Sequence, residues 1–224
     1  HRAAWDVAFA GGSLVAALAQ GITLGALLQG ITVEGRAYAG GWWDWLTPFS
    51  ILVGASVVVA YALLGATWLV MRTEGQLQAQ ARRYALGLTV ATVAAIALVS
   101  AVTPFLQGRY AERWLAMPNV LVTAQVPLLV ALAAFALWRT LRGGAERAPF
   151  LIALGLFALT FAGLGISIFP DVVPGRITIW QAAAPEASQI FLLAGASVLI
   201  PIILSYTAYA YWVFRGKVDA HGYH

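Results

Sequence analysis

The chain has 224 residues, 61% of them hydrophobic and 10% charged, with 13 Lys and Arg against 9 Asp and Glu, a formal net charge of +4 and no Cys. So low a charge content excludes an ordinary water-soluble domain. The absence of thiols excludes disulfides, Cys nucleophiles and Cys-held metal or iron–sulfur centres. The basic residues are scattered between apolar runs and form no continuous face, which argues against nucleic acid as a partner.

A helix needs about 20 apolar residues to cross the hydrocarbon core of a membrane. Six stretches free of Asp, Glu, Lys, Arg and His reach that length: 7–33, 45–71, 84–108, 114–138, 148–170 and 187–214. Lipid offers no partner to backbone polar groups, and these runs lack the alternation of barrel strands, so each is expected to be helical. The predicted fold class is all-α, a polytopic transmembrane helix bundle. It forms a single membrane domain over 1–224, with spans at about 7–30, 46–71, 84–106, 115–138, 148–169 and 188–214.

The first span carries Gly21-Ile-Thr-Leu-Gly25. Small residues at this spacing let helices approach closely, either at a subunit interface or within one chain. A Gly-rich loop around Gly40 and Gly41 follows, and Trp42, Trp43 and Trp45 form an aromatic belt before the second span. Between the second and third spans lies the polar turn Met71–Arg83. There Arg72 is placed to anchor at the lipid interface, and Glu74 is near enough to pair with it or with a partner chain; the plainer reading is a solvated connector. Trp114 opens the fourth span and Trp138 closes it, while Tyr211 and Trp212 close the sixth.

The segment 174–186 is expected to lie along the membrane surface. Its uncharged portion, 177–185, is nine residues, and a helix of that length reaches about 14 Å, under half the hydrocarbon thickness. Pro174 and Gly175 favour a turn, Arg176 can reach head groups or a partner carboxylate, and Ile177, Ile179 and Trp180 supply apolar area. Trp180 is either a lipid-facing anchor or a packed cap.

Haem iron usually takes His, Met or Cys. The histidines, His1, His221 and His224, are all terminal, and Met71 and Met117 sit at span ends. Without an imidazole inside the spans, neither a Ser-His-Asp nor a metal–His site can be assembled there. Neutral groups such as Gln20, Thr23, Ser56, Thr92 and Gln125 read as helix-packing or back-bonded residues. No catalytic, cofactor-binding or metal-ligating residue is therefore predicted in this chain. Gly21, Gly25, Arg72, Glu74, Arg176 and Trp180 stand as interface or structural candidates.

Several segments, taken in order, resemble subunit II of the cytochrome bd-type quinol oxidases, including the cyanide-insensitive variety. They are Trp-Leu-Thr-Pro-Phe at 45–49, Gly-Ala-Thr-Trp-Leu at 65–69, Met-Arg-Thr-Glu-Gly at 71–75 and Phe-Pro at 169–170, reinforced by 174–182 and 201–218. Subunit II of that family has nine spans, and the six here resemble the last six. The chain starts His-Arg-Ala-Ala-Trp-Asp without an initiator Met, so it is expected to be the later part of a longer protein; the family's early Gly-Phe-Asp and Asp-Gly-Asn-Gln segments are absent. The resemblance implies a non-catalytic structural subunit of a quinol:oxygen oxidoreductase, supporting assembly and haem shielding in a haem-bearing subunit I. Haems b and d are then expected in that partner and none in this chain alone, with quinol as the substrate of the complex. Membrane lipid is a further expected partner, and a bound quinone and a small accessory subunit remain open. The rival from another class is a transporter or channel bundle for a neutral solute. Six spans suit it, but the lack of intramembrane ionisable groups weighs against an ion carrier.

The resemblance implies the bacterial cytoplasmic (inner) membrane as location, and orientation follows from the loops. The side holding both termini carries Arg2, Arg72, Arg82, Arg83, Arg139, Arg142, Arg147, Arg215 and Lys217, nine in all, against four on the other side, Arg36, Arg109, Arg113 and Arg176. Lys and Arg stay preferentially on the cytoplasmic side, so both ends are expected to be cytoplasmic. A single Cys introduced at Gln76 should react with an impermeant maleimide only after the membrane is opened. Labelling of intact cells from outside would reverse the orientation.

Overall fold

The computed structural model describes residues 2–35 and 37–217. The three histidines, and Arg36 of the charge count, lie outside the described residues. Helix α1 (Arg2–Gln29) leads into a hairpin of β1 (Val33–Glu34) and β2 (Ala37–Tyr38), then α2 (Pro48–Arg72) and α3 (Gly75–Leu106). The short helices α4 (Gly108–Leu115) and α5 (Val120–Thr123) precede α6 (Gln125–Arg142) and α7 (Ala148–Ile168). A second hairpin, β3 (Asp171–Val173) and β4 (Ile177–Thr178), then joins α8 (Ile179–Ala182) and α9 (Glu186–Val213). Among the described residues six helices are long and apolar enough to cross a membrane: 3–29, 48–72, 75–106, 120–142, 148–168 and 186–213. The chain is thus an all-α polytopic bundle, and its two small hairpins form no sheet core.

Successive long helices run antiparallel, so the connections fall at two ends. The terminal end holds the α2–α3 and α6–α7 turns; the distal end holds both hairpins and α4. Helix α1 packs on α2, α2 on α3 and α7, and α6 on α7 and α3. One buried cluster, Leu63, Ala66, Ala85, Leu137, Leu141 and Ala153, ties α2, α3, α6 and α7 together near the terminal end. A second, Leu28, Phe49, Val53 and Tyr110, ties α1, α2 and α4 at the distal end. Helix α9 has no buried residue. It touches the bundle near its C-terminal end, where Tyr211 meets Trp68 edge-on with centroids 5.8 Å apart.

Local chemistry accounts for the boundaries. Thr47 caps α2: its hydroxyl accepts from the Ser50 backbone N–H at 3.0 Å, and the Ser50 hydroxyl accepts from the Thr47 N–H at 2.9 Å. Pro48 occupies the first turn, where a missing N–H costs nothing. The 71–83 segment, expected to be a turn, is mostly helix. Only Thr73 and Glu74 separate α2 from α3, because Gln76–Arg83 is rich in Ala, Gln and Arg, which favour helix. The fourth span starts later than expected. Residues 116–119 form a turn containing Pro118, and the spanning helix begins at Val120.

Gly21 and Gly25 face α2 of the same chain. A Cβ at Gly21 would lie 2.6 Å from the Gly54 Cα, and one at Gly25 would lie 2.6 Å from the Ser50 Cα. Backbone meets backbone there, and Gly54 answers from the opposite helix with its own missing side chain. Replacing both Gly21 and Gly25 by Ala should therefore destabilise the protein by about 1–3 kcal/mol per site, the usual range for overpacking. Gly12, with nothing within 4 Å, should tolerate Ala. Thermal unfolding in detergent checks this, and equal loss at all three positions would refute the packing argument.

Candidate functional site

The densest polar structure lies at the distal end and is organised by α4. This helix is strongly amphipathic, and its polar face points at the ends of two spanning helices. The last four carbonyls of a helix have no partner inside it. Tyr110, fully buried, donates from its hydroxyl to the Leu28 carbonyl at 2.9 Å, and Gln107 Nε2, one residue before α4, donates to the Gln29 carbonyl at 3.0 Å. Both acceptors belong to the last turn of α1. The Gln29 side-chain oxygen in turn accepts from the Thr47 hydroxyl that begins α2.

On the other side of α4, Arg113 Nη1 donates to the Ile166 carbonyl at 3.0 Å, to Ser167 at 3.2 Å and also to Phe169, the open C-terminus of α7. Trp114 Nε1 donates to Ser167 Oγ at 2.9 Å. Arg109 pairs with Asp171 at the start of β3, and the Asp171 carboxylate also accepts the Gly175 N–H at 2.7 Å. Gly175 takes φ +72°, and the Arg176 N–H returns to the Val173 carbonyl at 2.9 Å. This is the tight turn expected of Pro174-Gly175, with Pro pre-setting the first corner and Gly supplying the left-handed second.

The charges here are held in place. Burial pushes the Asp171 carboxyl up, but the Gly175 N–H and the Arg109 guanidinium, helped by Arg113, outweigh it and hold the group below its ordinary value. Burial raises the Tyr110 phenol above its ordinary value. Asp171 is thus held in its charged form and Tyr110 in its neutral form, the states that their hydrogen bonds and ion pair require. A cleft of about 400 Å3 beside it is lined by Arg109, Glu112, Arg113 and Asn119. Its two arginines serve Asp171 and the end of α7, each through Nη1.

The terminal end has its own network. Arg72 lies over the Trp68 ring at 4.5 Å and donates from Nη1 to the carbonyls of Phe214 at 3.1 Å and Gly216 at 3.3 Å. Glu74 does not pair with Arg72. Its partner is Lys217 at 3.3 Å, which also reaches Glu146 at 2.8 Å. Gln78 Nε2 bridges the Val70 and Thr73 carbonyls, each at 3.0 Å, to Glu146 at 3.2 Å. Arg82 donates to the carbonyls of Leu141 at 2.8 Å and Gly144 at 3.2 Å. The hydrogen bond from Lys217, followed by that from Gln78, holds the Glu146 carboxyl below its ordinary value.

Of the remaining candidates, Arg176 is exposed on the β3–β4 turn, and Trp180 is 66% exposed, meeting Phe169 edge-on at 6.2 Å. Sequence reasoning missed Arg109, Tyr110, Arg113 and Asp171. The available signal was an Arg pair at i, i+4 in a short polar stretch between two apolar runs. The histidines lie outside the described residues, so of the candidate haem ligands only the two methionines can be placed. Met71 and Met117 stand at opposite ends of the bundle, and among the described residues no three His, Cys, Asp or Glu side chains converge on one point.

Asp171 gives a pH-dependent prediction. A carboxyl held below its ordinary value stabilises the fold fully above the unfolded value, about 3.9, and loses that contribution as pH falls through the folded value. Asp171→Asn should cost about 1–3 kcal/mol at neutral pH, because Arg109 is left without its counter-charge. Thermal unfolding in detergent should show the gap between wild type and variant closing as pH drops below about 4. A gap that does not change with pH would refute the assignment.

The family described as cytochrome bd terminal oxidase subunit II matches residues 1–214. The cytochrome bd-I ubiquinol oxidase subunit 2 of Escherichia coli K12 is 28% identical over 210 residues, covering 81% of this chain and 55% of the relative. A probable cytochrome oxidase subunit 2 of Haemophilus influenzae is 25% identical over 260 residues, covering 98% of this chain and 67% of the relative. The cytochrome bd ubiquinol oxidase subunit 2 of Bacillus subtilis is 25% identical over 185 residues, covering 79% and 52%. The chain thus spans about half the length of the Escherichia coli and Bacillus subtilis relatives. With a family match over nearly its whole length and six helices fit to span, the chain belongs to the cytochrome bd terminal oxidase subunit II family.

Proposed function

We propose that this chain serves as a structural subunit of a bd-type quinol:oxygen oxidoreductase in the bacterial inner membrane, packed against a haem-bearing subunit I whose assembly and haem shielding it supports. The family match over residues 1–214 carries this reading. The chemistry of the chain agrees with it. The polar side chains described at both ends bond chiefly to helix-end carbonyls and to each other, an arrangement that fixes helices.

In this reading both termini are cytoplasmic, and haems b and d belong to the partner. Quinol is oxidised by the complex and oxygen reduced to water. The open apolar surface of α9, where Phe191 is 82% exposed, and that of the first half of α1, face lipid or protein. Arg109, Tyr110 and Arg113 keep the distal ends of α1 and α7 in fixed register with each other, so the face offered to a partner is preorganised. Gly21 and Gly25 then contribute through the rigidity of the α1–α2 pair.

The test is co-expression with the haem-bearing subunit. The expected result is a stable complex with haem b and haem d absorbance, lost from the membrane fraction when this chain is omitted. The chain purified alone should show no stoichiometric haem spectrum. Haem bound by this polypeptide alone, and lost on substituting one internal residue, would overturn the proposal.

A further inference from the structure

Between the end of α1 and the start of α2, the β1–β2 hairpin and the loop after it enclose a cleft of about 430 Å3. This is within the usual range for a small-ligand site. Its walls include Tyr38, Trp42 and Trp45, its floor Ala26 and Gly30, and its charged group is Asp44. The loop folds around that carboxylate, and the Tyr38 hydroxyl lies 3.5 Å from its Oδ2. Asp44 Oδ2 accepts the Gly41 N–H at 2.6 Å, and a Cβ at Gly40 would lie 2.6 Å from the same oxygen. Gly40 and Gly41 therefore let the chain fold tightly around the acid. Among the described residues Asp44 meets no Lys or Arg, since the ion pairs there involve Arg109 and Lys217.

We propose that this cleft binds an organic ammonium group, held between the Asp44 carboxylate and the faces of Trp42, Trp45 and Tyr38, and that its source is the head group of a zwitterionic phospholipid. A carboxylate among aromatic rings attracts a cation by charge and by the ring quadrupole, and it repels phosphate and other anions. Ligands that need donors find two of them engaged. The Tyr38 hydroxyl donates to the Gly41 carbonyl at 2.8 Å, and the Trp45 indole N–H donates to the Trp42 carbonyl at 2.7 Å. The position supplies the ligand's source. The loop connects two membrane-spanning helices, so the cleft lies at the membrane boundary, where aromatic residues concentrate and phospholipid ammonium groups are abundant. Trp42 is 92% exposed, so its ring is available without any rearrangement of the fold.

The test is native mass spectrometry of the purified membrane protein with its accompanying subunits, titrated with short-chain phosphatidylethanolamine, with phosphatidylglycerol and with soluble ethanolamine. Phosphatidylethanolamine should bind at least about tenfold more tightly than phosphatidylglycerol. Asp44→Asn should remove that preference. Asp44 also orders its loop, so Trp42→Leu is the second variant; it removes one ring and should weaken phosphatidylethanolamine about tenfold while leaving phosphatidylglycerol unchanged. Binding of ethanolamine without any preference between the two lipids would overturn the lipid source and leave a soluble amine as the ligand. Equal binding of the two lipids with no ethanolamine bound, or unchanged preference in both variants, would overturn the proposal entirely.

Discussion

Every spanning helix ends in carbonyls that its own backbone cannot satisfy, and where other elements cover those ends water cannot satisfy them instead. This constraint shapes the polar half of the molecule. At the distal end Tyr110 and Gln107 close α1, and Arg113 closes α7. At the terminal end Gln78 serves α2, Arg82 serves α6 and Arg72 serves α9. In each case the donor comes from outside the helix it caps. Arginine suits the task because it carries several donors on one rigid fork and brings positive charge to the negative end of the helix dipole.

Because the donors come from other elements, satisfying a carbonyl also fixes a distance. Helix α4 is bonded to both α1 and α7, so the α1–α2 pair cannot shift against the α6–α7 pair at the distal end without breaking hydrogen bonds in low dielectric. Arg82 does the same between α3 and the α6–α7 turn at the terminal end. Apolar packing alone would not set this register, since lipid chains are as apolar as the leucines they replace. Helix α9 shows the contrast. Its polar ties to the bundle are at its C-terminal end, through Arg72 and Lys217, and its apolar length is oriented chiefly from that end.

The spanning helices were legible because a membrane helix is defined by what it lacks, and six charge-free runs of sufficient length have no other stable use. The tight turn at Pro174-Gly175 was legible for a similar reason, since its geometry is set by two adjacent residues. Helix α4 was not. Its eight residues are too short for a hydropathy signal, and Arg109 and Arg113 read equally well as loop charges until α1 and α7 are seen to end beside them. Glu74 illustrates the same limit. Arg72 is its neighbour in sequence, yet Arg72 is drawn to the Phe214 carbonyl and Glu74 to Lys217, partners more than 140 residues away that only the folded chain brings near. Gly21 and Gly25 were visible as a pattern whose choice between an in-chain and an inter-chain neighbour depended on Gly54, which the pattern itself does not mention.

The demand for caps also bears on the unequal distribution of charge. Of the six long helices, α1, α3 and α7 end at the distal side and α2, α6 and α9 at the terminal side. Three C-termini at each end need similar numbers of cations, so capping alone predicts no bias. Yet the basic residues divide nine to four in favour of the terminal side. Four arginines on the terminal side cap no helix end among the described residues. Arg83, Arg139 and Arg147 are exposed, and Arg142 lies 4.2 Å over the Trp138 ring at the boundary. Long side chains of this kind lay their stems along apolar surface and hold their charge among head groups. The bias therefore does not follow from the internal needs of the fold, and the proposed orientation, with both termini cytoplasmic, rests on these four arginines more than on those that hold the helices together.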